Sequence, residues 1–204
     1  FPLVSIESQR SLSDFDLIAF SISFENDFLN LPTIFELGRL PFWREERTER
    51  HPLIICGGVC AFLNPEPLAE IMDLFVVGEA EVTLPQLLKQ MLDPETSVRS
   101  ELLARISQQA GIYQPAGYDV RYLESGELKS MTPLEGLPEQ VARQWQANLD
   151  DSQSMTCVAT PDTEFGSMHL VEVSRGCPKA CRFCAAGFIY RPFREHSIEH
   201  LRKE

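Results

Sequence analysis

Three cysteines, Cys177, Cys181 and Cys184, stand in a CxxxCxxC arrangement within VEVSRGCPKACRFCAAGFIYRPFREHS. Thiolates separated by three and two residues can wrap one face of a metal cluster from a single loop. Iron–sulfur clusters take cysteine thiolates, commonly four. With three offered, one iron stays open to a substrate or a second ligand. Arg175, Lys179 and Arg182 are placed to offset the charge of a ligated cluster, and Gly176, Ala180, Ala185, Ala186 and Gly187 keep the loop small. Two other chemistries fit the same residue types. One is a zinc half-site completed by His196 or His200, which follow at longer spacing than a compact finger uses. The other is a set of unliganded structural thiols.

The remaining composition narrows the setting for this loop. The 204 residues carry a formal net charge of −12. From Ser174 onward seven Lys or Arg face three Glu, a local excess of +4 that leaves −16 on the rest. An acidic body disfavours a general nucleic-acid or membrane surface, whereas a basic patch beside thiols suits an anionic ligand or metal–thiolate cluster. No apolar run approaches the ~18–20 residues of a membrane span, and FPLVSIESQR lacks the basic head and apolar centre of a signal peptide. Clustered thiols without secretory features read as metal or redox groups rather than a disulfide framework. A soluble, cytoplasmic protein is expected. The chain starts at Phe1 and breaks off at HLRKE where a helix is beginning, and it reads as an internal fragment.

The elements that must position the loop follow from periodicity. LVSIES (3–8) is a short β-type run, and LIAFSIS (17–23) is a continuous apolar run of the buried-strand type. Phe28, Leu31, Ile34, Phe35 and Leu37 recur at helical spacing, with Gly38 as the stop. PLIICGG (52–58) is a second buried strand, PEPLAEIM (65–72) a short helix with proline in its first turn, and DLFVVGEAE (73–81) a strand running into a Gly-Glu turn. VTLPQLLKQML is an amphipathic helix, and ETSVRSELLARISQQAG a further helix closed by Gly111. Strand–helix alternation of this kind predicts a parallel sheet covered on both faces, with ligands held at the strand ends. The polar stretch between the first two runs is shorter than a parallel crossover needs. A missing intervening strand is therefore expected before Phe1. YDVRYLESGELKSMTP (118–133) predicts a hairpin around a Ser-Gly turn, and the polar stretch after it a connector. HLVEVS is the strand leading into the cysteines. Cys56 and Cys60 read as small core hydrophobes, and His169 as structural.

CPKACRFC matches the CxxxCxΦC motif of the radical SAM superfamily, with Phe183 in the aromatic slot. The resemblance implies that Cys177, Cys181 and Cys184 hold a 4Fe-4S cluster whose open iron is chelated by S-adenosylmethionine, and that backbone beside Phe183 contacts the adenine. It also implies reductive cleavage to a 5′-deoxyadenosyl radical, supplied with an electron by a flavodoxin or ferredoxin. The motif there follows the first strand of a partial (β/α) barrel, the place HLVEVS takes here. PLIICGGVCAFLNPEPLAEIMDLFVVGEAE resembles the later half of the cobalamin-binding-type domain of one uncharacterised subgroup, whose cluster loop and trailing YRPxR resemble RGCPKACRFCAAGFIYRPFREHS. That domain is flavodoxin-like, and the resemblance places Gly57, Gly58, Gly78 and Glu79 near a corrinoid. The histidine motif that ligates cobalamin in the family is absent, and His51 in RTERHP has no aspartate two positions before it.

The resulting expectation is an α/β chain in three parts. Residues 1–93 form a cobalamin-binding-like domain, 94–166 a helix, hairpin and connector, and 167–204 the start of a radical SAM barrel. The full-length protein is expected to be a radical SAM enzyme acting on an unknown substrate, with this piece alone inactive. The alternative is a non-catalytic corrinoid- or metal-binding module. A four-cysteine electron carrier would need a further ligand, and Cys157 is poorly placed to be one.

Overall fold

The computed structural model describes residues 2–93, 98–159, 161–179 and 181–203. Contacts divide the chain into two units, Phe1–Trp145 and Gln146–Glu204.

The first unit is built on a four-stranded sheet of β1 (Leu17–Ser21), β2 (Leu53–Gly57), β3 (Leu74–Val76) and β4 (Ile112–Tyr113), in that spatial order. β1, β2 and β3 run parallel, in the register Leu17↔Leu53 and Ile55↔Leu74, and β4 closes the order antiparallel to β3. The alternation of side chains along β2 explains why LIIC is apolar throughout. Ile54 and Cys56 enter one core with Phe75, Leu31 and Phe35, while Leu53 and Ile55 enter another with Leu74, Val76, Leu87 and Ile106. A strand buried on both faces cannot alternate polar and apolar residues. Each of these fully buried side chains contributes about 1.5–3 kcal/mol relative to exposure.

Helices supply the two covers. α1 (Leu31–Gly38) buries Leu31 and Phe35, and α3 (Ala80–Met91) buries Thr83 and Leu87, spacings that put each pair on one helical face. α4 (Arg99–Ile106) adds Ile106 to the α3 side. α1 stops at Gly38 as expected, but the left-handed turn that ends it is taken by Arg39. The hairpin forms as expected from β5 (Tyr118–Tyr122) and β6 (Leu128–Pro133).

Several expectations are corrected. Residues 3–8 do not form a strand. The Ser5 hydroxyl accepts from the amides of Ser8 and Arg10, and Val4 folds back to bridge Ser11. Serine side chains that satisfy nearby backbone compete with a sheet ladder. Residues 3–8 and 17–23 therefore do not form a short parallel crossover. β1 is only half buried, with Ala19 and Ser21 exposed, because among the described residues it pairs on one side alone. The helix expected over 65–72 is a single turn at Glu66–Leu68, since Pro65 and Pro67 each lack the donor a ladder needs. A helix not anticipated, α2 (Val59–Leu63), follows β2 directly. The helix expected to reach Gly111 ends at Ile106, and residues 94–97 lie outside the described part. Gln109 leaves the helical path and donates to the Thr83 carbonyl at 2.8 Å.

The β2–α2 junction depends on Gly58. Its φ is +90°, and a Cβ there would lie 2.5 Å from the Ile22 carbonyl oxygen. Gly58→Ala is expected to lower stability by at least about 1 kcal/mol, read as a lowered urea midpoint. An unchanged midpoint would mean the Ile22 segment yields freely.

Among the described residues no helix is long and apolar enough to cross a membrane.

Candidate functional site

In the second unit the cysteine loop is held between two short strands, β7 (Ser174–Arg175) and β8 (Arg194–Glu195), paired antiparallel. HLVEVS is extended but mostly outside regular strand. Met155 bridges Val171, Glu172 donates to the Ser154 carbonyl at 2.9 Å, and His196 donates to the Val173 carbonyl at 3.0 Å. The strand expected over HLVEVS is thus reduced to Ser174–Arg175, with the residues before it held by antiparallel neighbours on both sides.

Gly176 opens the loop. Its φ is +97°, and a Cβ would sit 2.5 Å from the Tyr190 carbonyl oxygen and 2.9 Å from that of Pro192. The start and end of the loop therefore touch backbone to backbone. Gly176→Ala is expected to force them apart at a cost of ~1–2 kcal/mol. Hydrogen exchange at the His196 and Ile189 amides, both hydrogen-bonded, should quicken about tenfold.

Cys177 and Cys184 are partly exposed and Cys181 is exposed, and all three are free thiols. The Cys184 amide donates to the Cys181 carbonyl at 3.2 Å, and α5 (Ala186–Ile189) begins immediately after. Phe183 is 92% exposed. Lys179 and Arg182 are exposed, whereas Arg175 is committed to Glu172 through Nε and Nη2, at 2.9 and 2.7 Å. Of the three cations expected to offset a cluster, Arg175 is therefore already paired. Ala180 lies outside the described residues. Three accessible thiols on one loop, with small residues beside them, are a donor set that fits an iron–sulfur cluster.

The histidines go elsewhere. His196 is buried, with Nδ1 at 3.2 Å from Asp150 Oδ1 and Nε2 at 3.7 Å from Glu172 Oε2. Its ring stacks on His200 at 4.7 Å between centroids. Hydrogen bonds, from Ser197 first and then His196, hold the Asp150 carboxyl below the usual carboxylate range. The Arg175 hydrogen bond does the same for Glu172, against its burial. Ser197 caps α6 (Ile198–Leu201) by accepting from the His200 amide. Among the described residues both histidines group with Asp150 rather than with the cysteines. Asp150 and Glu172 were missed in the sequence, although the His196/His200 spacing was a visible signal.

In the first unit Gly57, Gly58 and Gly78 do come together. They line a cleft of about 130 Å³ with Phe20, Val76, Ala80 and Leu84, at the C-terminal ends of β1–β3. Glu79 is buried beside it and pairs with Arg143 at 3.4 Å. Gly78 bridges Gln144, and the Glu79 amide donates to the Gln144 carbonyl. Ligand pockets run to roughly 300–1,000 Å³. The cleft as it stands is smaller than that range, and Gly58 and Gly78 are pressed against the Ile22 and Gln144 backbone, whereas Gly57 is not. His51 lies before β2, at the opposite end of that strand from these glycines, with Nδ1 accepting from the Thr48 amide. Cys56 and Cys60 are core residues, and burial pushes the Cys56 thiol up to about 12. His169 is exposed.

Residues 1–115 match the family described as radical SAM proteins, N-terminal. The chain belongs to that family. An uncharacterized protein of Methanocaldococcus jannaschii is 27% identical over 199 residues, which cover 96% of this chain and 36% of that protein. This radical SAM N-terminal chain thus spans about a third of the length of the curated relative it matches. No solved structure matches it.

Proposed function

We propose that the full-length protein is a radical SAM enzyme and that Cys177, Cys181 and Cys184 are the ligands of its 4Fe-4S cluster. The observation that carries this is the juxtaposition, in a chain of the radical SAM N-terminal family, of three accessible thiols on one short loop. When bound, the cluster supplies the electron that cleaves S-adenosylmethionine to methionine and a 5′-deoxyadenosyl radical for chemistry on the substrate.

The chain's own residues do the positioning. Gly176 lets the loop start pass against the Tyr190 and Pro192 carbonyls, and the Glu172–Arg175 pair fixes the strand that enters it. Exposed Lys179 and Arg182 leave a positive rim for the anionic cofactor and for a one-electron donor such as a flavodoxin or ferredoxin. On this reading β1–β3 are part of a flavodoxin-like sheet, and residues 167–204 open a (β/α) barrel.

The test is product analysis. Anaerobically loaded full-length protein, reduced with dithionite, is expected to release 5′-deoxyadenosine and methionine from S-adenosylmethionine. Full iron loading without any cleavage would overturn the enzymatic reading in favour of a non-catalytic metal-binding module.

A further inference from the structure

We infer that Asp150, His196 and His200 form a second metal site, with nitrogen and oxygen donors only, suited to a divalent transition ion such as Zn²⁺. One ligand atom from each of the three lies within 4.8 Å of the others. Asp150 Oδ1 is 3.2 Å from His196 Nδ1 and 4.0 Å from His200 Nδ1. Nitrogen and oxygen ligands about 2.0–2.2 Å from a tetrahedral ion stand roughly 3.4 Å apart, between those two distances. Two imidazoles and one carboxylate leave a fourth position open, the donor count of many catalytic zinc sites.

The environment of His196 is the second observation. Its side chain is fully buried, carboxylates face both ring nitrogens, and Nε2 has no hydrogen-bond partner. A neutral imidazole carries a single N–H. Placed on Nδ1, that hydrogen serves Asp150 and leaves the Nε2 lone pair facing Glu172 at 3.7 Å; placed on Nε2, it leaves the Nδ1 lone pair facing a carboxylate oxygen at 3.2 Å. A cation between them resolves the conflict. A proton can serve one nitrogen–oxygen pair, whereas a metal ion serves Asp150, His196 and His200 together. Asp150 Oδ1 also accepts the Ser197 amide at 2.9 Å, which a carboxylate oxygen with two lone pairs can do while ligating.

Glu172 completes the arrangement. Metal-ligating histidines usually turn their other ring nitrogen to a carboxylate, which fixes the tautomer and ring orientation. Glu172 is itself locked by Arg175 in a paired geometry of 2.9 and 2.7 Å. The proposed ion lies in the same unit as the cysteine loop but takes none of its sulfur.

The experiment uses full-length protein with Cys177, Cys181 and Cys184 all replaced by Ala, loaded with Zn²⁺ or Co²⁺ and desalted. Expected is about one ion per chain, with a Co²⁺ spectrum free of thiolate charge transfer. His200→Gln should weaken binding at least tenfold, and Glu172→Gln roughly 10–100-fold, with folding checked by circular dichroism. Retention below about a tenth of an ion, or an unchanged affinity in His200→Gln, would overturn the site. If the triple variant does not fold, zinc content of the iron-loaded wild-type protein reads the same site: about one zinc beside the iron supports it, and none overturns it. Iron at the cysteines and zinc at the histidines are separate readouts, so either proposal can fail alone.

Discussion

Cys177→Ala is expected to abolish iron–sulfur loading. Anaerobic reconstitution of the full-length protein should give about four irons and four sulfides per chain, and Cys177→Ala, Cys181→Ala and Cys184→Ala should each bring the value close to zero. The three thiols are interchangeable in this respect because a cluster with one open iron already has its minimum of protein ligands. Losing one leaves two, too few to retain the cluster through desalting. The folded structure should survive, because Cys177 and Cys184 are only partly buried, Cys181 is exposed, and none contributes to either apolar core. Cys56→Ala is the informative contrast. Its thiol is buried in the sheet core with a pKa pushed up to about 12, so the variant should lose stability and keep its iron. Stoichiometric zinc with no iron uptake in the wild-type protein would sink the assignment.

Asp73→Ala is expected to cost about 3–5 kcal/mol, the scale for removing one partner of a buried ion pair. Asp73 is 2% exposed and sits at the entry to β3. Its Oδ2 accepts from the Ile54 amide at 2.7 Å, from Arg99 at 2.7 Å and from Arg47 at 3.3 Å. That oxygen therefore joins β2, the stretch before it and α4. Without it the Arg47 guanidinium, whose side chain is fully buried, is left beside Phe35 with no opposing charge. Burial already lowers the Arg47 pKa to about 10, which shows how poorly the site tolerates the cation. Asp73→Asn should lose less, since the amide oxygen can still accept from Ile54. Both tryptophans, Trp43 and Trp145, lie in the first unit, so their fluorescence during urea unfolding reports this unit alone. Total domain stabilities are about 5–15 kcal/mol, so the loss should be plain. A change below ~1 kcal/mol would mean the two arginines find water or other partners.

Much of this architecture is legible in the chain because it depends on local period. Short apolar runs such as LIIC and LFV, bounded by turn residues, read as strands buried on two faces, and the four-residue spacing of Leu31 and Phe35, or Thr83 and Leu87, reads as helices on that sheet. The hairpin at 118–133 followed from alternation around Ser125-Gly126. Where local pattern and local chemistry disagreed, pattern misled. Residues 3–8 look β-like, yet Ser5 satisfies neighbouring amides and turns the chain, and the two prolines at 65 and 67 defeat a helical spacing.

What the sequence by itself supplied is three thiols within one short stretch, Cys177 to Cys184, close enough in the chain that a single turn can gather them. The tertiary structure alone decided what the remaining polar residues do. Arg175 stands two residues from Cys177, but it is spent on Glu172. Glu172 and Asp150 reach His196 from 24 and 46 positions away. Those meetings depend on how the 154–156 and 194–196 segments flank 170–173. Spacing constrains partners a few residues apart, but convergence across dozens of residues is a property of the chain's path, which packing sets.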